Sequence, residues 1–467
     1  MNASEDGARR RRRSQTHDEA DGVARLHPQV HAGEEGAGVA RGRRTRPRAR
    51  PRSQIHATGE GAGVICCVSI PAALASPFED DDLLREILLR LPPQPSSLLR
   101  ASAVCKQWRC AATDPKFLHR FRTHHRKPPL LGVFHVRNRD DIVFTPILDA
   151  PDRIPPQRFD LISSTEVVLL LLDCRHGRVL LIDVKRDEAI VSTPITGEQR
   201  HLPIPSEFEF TDDVNGAVLC AASDHDHVHG SCHSSPFKVV LISDVGEDNR
   251  FFACVYSSET GVWSDIISTA VPPVTFCADT PGVLVGNALY WLMDFMTDDI
   301  LEFDLDQQSL AVIKGPPITD DFRHASHWIV QAEDGAVGFA ILTCSHLQMW
   351  QRIINVHGVA TWVLWKTIDM HTIHGLPPQI EGEKTHMIRI AGCIEDTDGI
   401  YLFVGCDVYM VQLNSMQSRK LCENRGYTYY HSFKSFYPPA QPLLVHAMEL
   451  KCCTIHRMTV WFDVLMC

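Results

Sequence analysis

The sequence predicts an α+β multidomain chain, a module of three short helices followed by an all-β repeat domain. Three observations predict it. Residues 78–121 alone combine helical apolar spacing with helix start and stop residues. From about residue 130 onward, short apolar runs alternate with Gly, Asp, Asn and Pro, a strand-and-turn pattern. Residues 1–75 are rich in Arg, Gly, Ala and Glu with almost no aromatic side chain, which marks a disordered leader.

The helices follow in order. Asp80, Asp81 and Asp82 place negative charge where a helix N-terminus favours it. Leu83, Leu84, Ile87, Leu88 and Leu91 then line one face, and Pro92-Pro93 ends the run. Ser96 or Ser97 is suited to cap a second helix whose apolar positions are Leu98, Leu99, Val104, Cys105 and Trp108. Asp114-Pro115 signals a third, carrying Phe117, Leu118 and Phe121. Three short helices cannot hide this much apolar surface from one another. At about 25 cal/mol per Å², a few hundred Å² left over favours a partner.

The order LLREILLRLPP, SLLRASAVCKQWR, DPKFL resembles an F-box, in particular those of plant proteins. The resemblance covers about a tenth of the chain, residues 78–122. It implies docking on a Skp1-like adaptor and, through it, on a cullin-RING ubiquitin ligase. Leu83, Leu84, Ile87, Leu88, Leu91, Pro92, Leu98, Val104, Cys105 and Trp108 carry over as adaptor-facing or module-core positions. One departure stands at the start, where the family has Leu-Pro before its acidic residues. Here Phe78-Glu79-Asp80 supplies the bulk and no proline.

Over residues 130–440, segments 178–184, 237–243, 251–257, 288–293 and 300–305 read as strands. So do 336–343, 360–366, 388–393, 400–404 and 408–413. The expected turns fall at His176-Gly177, Glu259-Thr260-Gly261, Gly286-Asn287, Glu333-Asp334-Gly335 and Asp398-Gly399. Strand–turn–strand units with a Pro-rich exit recur at roughly 45–60 residues, the signature of repeats. VLLIDVKRDEAIVSTPIT and IYLFVGCDVYMVQLNSMQSRKL are two of them. Trp263, Trp291, Trp350, Trp362 and Trp365 sit at strand ends, where aromatics wedge neighbouring sheets. A β-propeller of five or six blades follows, with a β-sandwich as the alternative. The phrases DCRHGRVLL, VYSSETGVWS, GNALYW, ATWVLWKTID and SFYPP resemble the kelch-like, β-rich domain that follows the F-box in many grass proteins. Residues 441–467 join no unit, and a closing strand is one reading of them.

Charge is unevenly placed. Residues 1–53 hold 13 Arg and 7 acidic side chains, a net of +6, so the remainder carries −17 of the total −11. Residues 9–13 and 41–52 are basic enough for a nuclear-import signal or an anion-binding arm. An acidic body argues against specific nucleic-acid binding. The longest apolar run, 167–172, is too short to cross a bilayer, and no secretory signal pattern opens the chain. Sixteen dispersed cysteines without a repeated CxxC pair read as buried reduced thiols of a cytoplasmic or nuclear protein.

The densest chemistry is Asp224-His225-Asp226-His227-Val228-His229, with Cys232 and His233 close behind. Imidazole, carboxylate and thiolate are metal ligands, but structural zinc ordinarily uses two separated ligand pairs. A solvated loop between repeat units, binding no metal, is therefore expected. No nucleophile elbow, P-loop or dinucleotide fingerprint occurs, and Asp298-Asp299 and Asp320-Asp321 read as turn residues. Tyr256, Trp263, Tyr290 and Trp291 read as core. The expectation is a non-catalytic, cofactor-free substrate receptor that holds an adaptor and an unknown target at an unassigned surface. A propeller scaffold without ligase assembly, or a kelch-like enzyme, are the competing classes.

Overall fold

The computed structural model describes residues 80–437, apart from 138–140, 162–167, 207, 209–213, 224–226, 246–249, 271–279, 294–298, 318–324, 344, 378–387, 425 and 427. The leader, the segment 441–467, Phe78-Glu79, the stretch 224–226, Asp298 and Asp320-Asp321 lie outside the described residues.

Helix α1 (Asp81–Leu89) begins at the acidic cap, where Asp80 Oδ1 accepts from the backbone N–H groups of Asp82 at 2.9 Å and Leu83 at 3.3 Å. Helix α2 (Pro95–Ser102) has no serine cap. It starts on Pro95, and the Ser96 N–H donates to Asp152 Oδ1 of the β domain at 2.8 Å, which sets a carboxylate at the positive helix end. The expected second helix is broken into two, so the module has four helices. Ser102 turns its hydroxyl onto the Leu99 carbonyl at 2.7 Å, a local bond that competes with continuing the helix. Cys105 is extended, and helix α3 (Lys106–Thr113) starts afresh after it. Helix α4 (Pro115–His125) opens as expected, with Asp114 capping Lys116 N at 3.1 Å. Leu84, Leu88, Leu98, Ala112, Phe117 and Phe121 form the module's own core.

The β domain is a six-bladed propeller. Blade one holds β3 (Leu169–Arg175), β4 (Arg178–Asp183), β5 (Glu188–Thr193) and β6 (Glu198–Pro203). Blade two holds β7 (Val214–Cys220), β8 (Phe237–Val245) and β9 (Arg250–Ser257), with β10 (Val262–Trp263) and β11 (Ile267–Ala270) both pairing β9. Blade three is β12 (Val283–Val285), β13 (Ala288–Leu292), β14 (Ile300–Asp304) and β15 (Ser309–Ile313). Blade four is β16 (Ser326–Gln331), β17 (Val337–Leu342), β18 (His346–Ile354) and β19 (Ala360–Asp369). Blade five is β20 (Ile388–Ile394), β21 (Gly399–Val404), β22 (Asp407–Gln412) and β23 (Gln417–Glu423). Blade six takes its inner strand β24 (Tyr430–Lys434) from the far end of the domain. Its middle and outer strands, β1 (Leu130–Arg137) and β2 (Asp141–Pro146), come from the start.

Burial explains why some strands were legible and others were not. β4, β17 and β21 are buried at every position, because both faces of an inner strand pack on neighbouring blades and must be apolar. The outer strand β6, EQRHLP, is exposed at five of its six positions and carries no apolar signal. Each pair of adjacent blades shares one hydrophobic cluster, six in all around the ring. Two tryptophans tie outer strands together: Trp263 Nε1 donates to the Pro203 carbonyl and Trp362 Nε1 to the Lys314 carbonyl, both at 2.8 Å, although Trp350, Trp362 and Trp365 lie within β18 and β19 and not at strand ends. At the β3–β4 turn His176 and Gly177 both have positive φ, 55° and 77°, as a tight twisted hairpin requires.

The ring closes where β1 pairs antiparallel with β24, Phe134 opposite His431 and His135 opposite Tyr430. The closing strand is thus residues 430–434, upstream of the 441–467 segment. Phe433 packs edge-on to Phe134 at 5.4 Å and to Phe159 at 5.2 Å, which joins blade six to the start of blade one. His135 stacks on Tyr430 at 4.6 Å, and burial pushes its pKa down to about 4 and that of His431 to about 3.

Both histidines are depressed below the ordinary value of 6.5. The stability carried by the neutral rings is therefore present above pH 6.5 and lost as pH falls towards 4 and 3, by about 1.4 kcal/mol per pH unit per ring. Thermal melting between pH 7.5 and 5 is expected to show a falling midpoint, with a shallower fall in His431→Gln. An identical pH dependence in that variant would remove the seam histidines as the cause.

Candidate functional site

Packing divides the ten F-box positions. Leu84, Leu88 and Leu98 are buried in the module core, so they hold the helices together and present nothing to a partner. Leu91 and Trp108 are half-buried against that core, and Ile87 is half-buried. Pro92 and Cys105 are exposed, as are Leu83 at 42% and Val104 at 46%. Gln107 Nε2 donates to Asp81 Oδ1 at 2.8 Å, which brings the start of α3 beside the first turn of α1. Leu83 and Val104 are therefore the large apolar side chains among the ten that the module leaves exposed.

The module meets the ring at one end. Lys127 Nζ donates to the Asp396 carbonyl at 3.2 Å, and Gly230, at φ 93°, lies so close to Pro128 that an added Cβ would come within 2.5 Å. A cavity of about 1250 Å³ runs from this junction into the ring, lined in part by Arg126, Lys127, Arg175, Glu395, His431 and Lys434.

Inside it, Arg175 at the end of β3 binds partners on several blades. Nη1 donates to Asp173 Oδ2 at 2.6 Å, Nε to the Glu395 carboxylate at 2.9 and 3.0 Å, and Nη2 to the Gly282 carbonyl at 3.0 Å. Asp173 Oδ2 also accepts the Val218 N–H at 2.8 Å. Blades one, two, three and five are linked through one guanidinium. Burial raises Asp173 to about 6 against the pull of Arg175, whereas Glu395 is held low by Arg175 although burial opposes it. With four of its five N–H groups engaged, Arg175 makes this charge cluster a structural hub.

The remaining polar candidates are structural too. Asp299 Oδ2 accepts from Lys314 Nζ at 2.6 Å, Tyr290 donates to Glu302 Oε1 at 2.7 Å, and buried Trp291 donates to Asn215 Oδ1 at 3.1 Å. Tyr256 packs on Trp263 at 5.4 Å. The nine described cysteines are free, but Cys105, Cys110 and Cys406 are exposed, contrary to the expectation of burial. His227, His229 and Cys232 do not form a solvated loop. They converge with Cys220, a residue the sequence reading did not single out, and their ligand atoms all lie within 4.8 Å of one another. No signal in the local sequence marks Cys220, which sits seven residues upstream at the end of β7.

A family model described as F-box protein AT5G49610-like, beta-propeller matches residues 170–440, and an F-box domain model matches residues 80–120. The chain belongs to this F-box β-propeller family. It is 24% identical over 314 residues to F-box protein At5g49610 of Arabidopsis thaliana, covering 64% of this chain and 81% of the relative. It is 23% identical over 252 residues to F-box protein At5g07610 of the same plant, covering 50% of this chain. The chain spans 56% of that relative's length. Among solved structures, YCF48 from Cyanidioschyzon merolae aligns over 65% of this chain and 85% of its own at 8% identity and a TM-score of 0.32, too low to carry an argument. The F-box and propeller architecture is that of non-catalytic adaptor proteins. No helix among the described residues is long and apolar enough to cross a membrane.

Replacing Arg175 with Met strands two carboxylates, one of them fully buried. The expected cost is about 3–5 kcal/mol, read as a lower urea midpoint at unchanged m-value. A loss under 1 kcal/mol would mean the hub contributes little.

Proposed function

We propose that this chain is the substrate-receptor subunit of a Skp1–cullin–F-box ubiquitin ligase. The F-box helices hold a Skp1-like adaptor and the propeller holds a target protein. The observation that carries the reading is the exposure of Leu83 and Val104 on a module whose core is filled by Leu84, Leu88, Leu89 and Leu98. Burying two such side chains on an adaptor is worth about 1.5–3 kcal/mol each, enough to matter and too little to hold the complex alone. Pro92 and Cys105 extend the same apolar character.

No side chain performs chemistry in this scheme. The receptor raises the effective concentration of target lysines near ubiquitin carried by the ligase's other subunits. The module occupies the end of the ring that carries Gly177, Gly230 and Asp396. The opposite end, with the β4–β5 turn at Lys185-Arg186 and the β21–β22 turn at Gly405-Cys406, is left for the target. Nine free thiols fit a reducing cytoplasmic or nuclear setting.

Leu83→Asp and Val104→Asp are each expected to weaken co-purification with a Skp1-like protein at least tenfold while circular dichroism stays unchanged. Val356→Asp, at a fully exposed propeller position, is the control and should bind as the parent does. Retained binding in both F-box variants would overturn the adaptor reading.

A further inference from the structure

Four soft-to-borderline donors meet beside the junction of module and ring. Cys220 is anchored on β7, His227 and His229 lie in the loop that follows, and Cys232 opens a short 3₁₀ turn at Cys232–Ser234. His227 Nε2 is 3.2 Å from both Cys220 Sγ and Cys232 Sγ, and His229 Nδ1 is 3.6 Å from Cys232 Sγ. A tetrahedral site with metal–sulfur bonds of about 2.3 Å and metal–nitrogen bonds of about 2.0 Å has ligand–ligand edges of about 3.3–3.8 Å. The three close pairs are all nitrogen–sulfur pairs, whose tetrahedral edge is about 3.5 Å, and they fall within about 0.1–0.3 Å of it.

Hydrogen bonding alone explains the cluster poorly. One imidazole nitrogen either donates once or accepts once, yet His227 Nε2 faces two sulfurs at the same short distance. A cation at the centre of the four atoms satisfies all of them together. Two thiolates would neutralise a divalent ion, which suits a half-buried position. The surroundings hold the donors in place. His176 stacks on His229 at 3.9 Å and its Nδ1 accepts the Cys220 N–H at 3.0 Å, while Arg178 Nη2 donates to the Cys232 carbonyl.

We propose that Cys220 Sγ, His227 Nε2, His229 Nδ1 and Cys232 Sγ bind a structural zinc ion. Two sulfurs and two nitrogens in a tetrahedron select Zn²⁺ over harder divalent ions, and four protein ligands leave no open position for catalysis. The ion ties the β7–β8 loop to the end of β7, and through Gly230 that loop packs on the polypeptide that joins the helices to the ring. Between His229 and Cys232 lies Gly230, whose carbonyl accepts from Phe436 N and from Ser435 Oγ, each at 2.9 Å, and which packs on Pro128. Zinc binding therefore fixes the loop that carries Gly230 at the junction of helices and ring. This inference does not depend on the ligase assignment.

The test uses the full chain without a polyhistidine tag, grown with added zinc and passed through a mild chelator. Elemental analysis is expected to find about one zinc per chain, and X-ray absorption two sulfur and two nitrogen neighbours. The Cys220→Ser/Cys232→Ser double variant should retain less than about a tenth of that metal, while exposed His201→Ala retains all of it. Should the double variant fail to fold, His229→Ala removes one exposed ligand and should raise zinc loss to a competing chelator at least tenfold. Trace metal in the parent chain, or full metal in both ligand variants, overturns the proposal.

Discussion

The antiparallel pairing of β1 with β24 joins the two ends of the propeller, and the other five blades depend on it. Each blade buries both faces against its neighbours, so an open ring would expose two apolar faces at once. One is the Phe134–Phe144–Phe433 cluster against blade one, and the other is the Val133–Tyr401–Tyr430 packing against blade five. Closure also does a second job. Because β1 follows the helical module after only residues 126–129, the strand that shuts the ring is the one that anchors the F-box.

Inside the ring the blades are held in register by charge. Arg175 reaches Asp173, Glu395 and the Gly282 carbonyl, so strands far apart in sequence share one guanidinium. A buried ion cluster of this kind adds little net stability compared with apolar packing, but it penalises any arrangement that leaves one partner behind. That penalty favours one blade order over others.

The junction end combines the Lys127–Asp396 contact, the close fit of Gly230 on Pro128 and the Ser96–Asp152 helix-end contact. These make the helices and the ring a continuous body. Effective concentration depends on a short, stiff span between two binding sites, since a slack connection spreads the bound target over a larger volume. The β7–β8 loop, with Gly230 against Pro128, lies at this junction.

How much could be read beforehand follows from where each signal resides. The cap at Asp80, the proline stop, Asp114-Pro115 and the ten strands marked by apolar runs are local features, and they appear as expected because local chemistry determines them. The strands of blade six and the polar outer strand β6 were not legible. β1, β2 and β24 belong together only through a pairing between opposite ends of the domain, and an outer strand faces water on one side. The break between α2 and α3 falls at the extended backbone of Cys105, inside a run whose apolar positions continue across it. Of the F-box leucines, spacing marked a common apolar face but not which members point inward. Leu84 and Leu83 are neighbours in sequence, yet only three-dimensional packing makes one core and the other surface. Cys220 joins His227, His229 and Cys232 for the same reason, since a loop brings back to the strand end what the chain had separated. The sequence by itself determined the two-part architecture and its adaptor module, because these rest on contacts between near neighbours. Ring closure, the charge hub and the four-ligand pocket were decided by tertiary structure, because each is made of residues that meet only after the blades have closed.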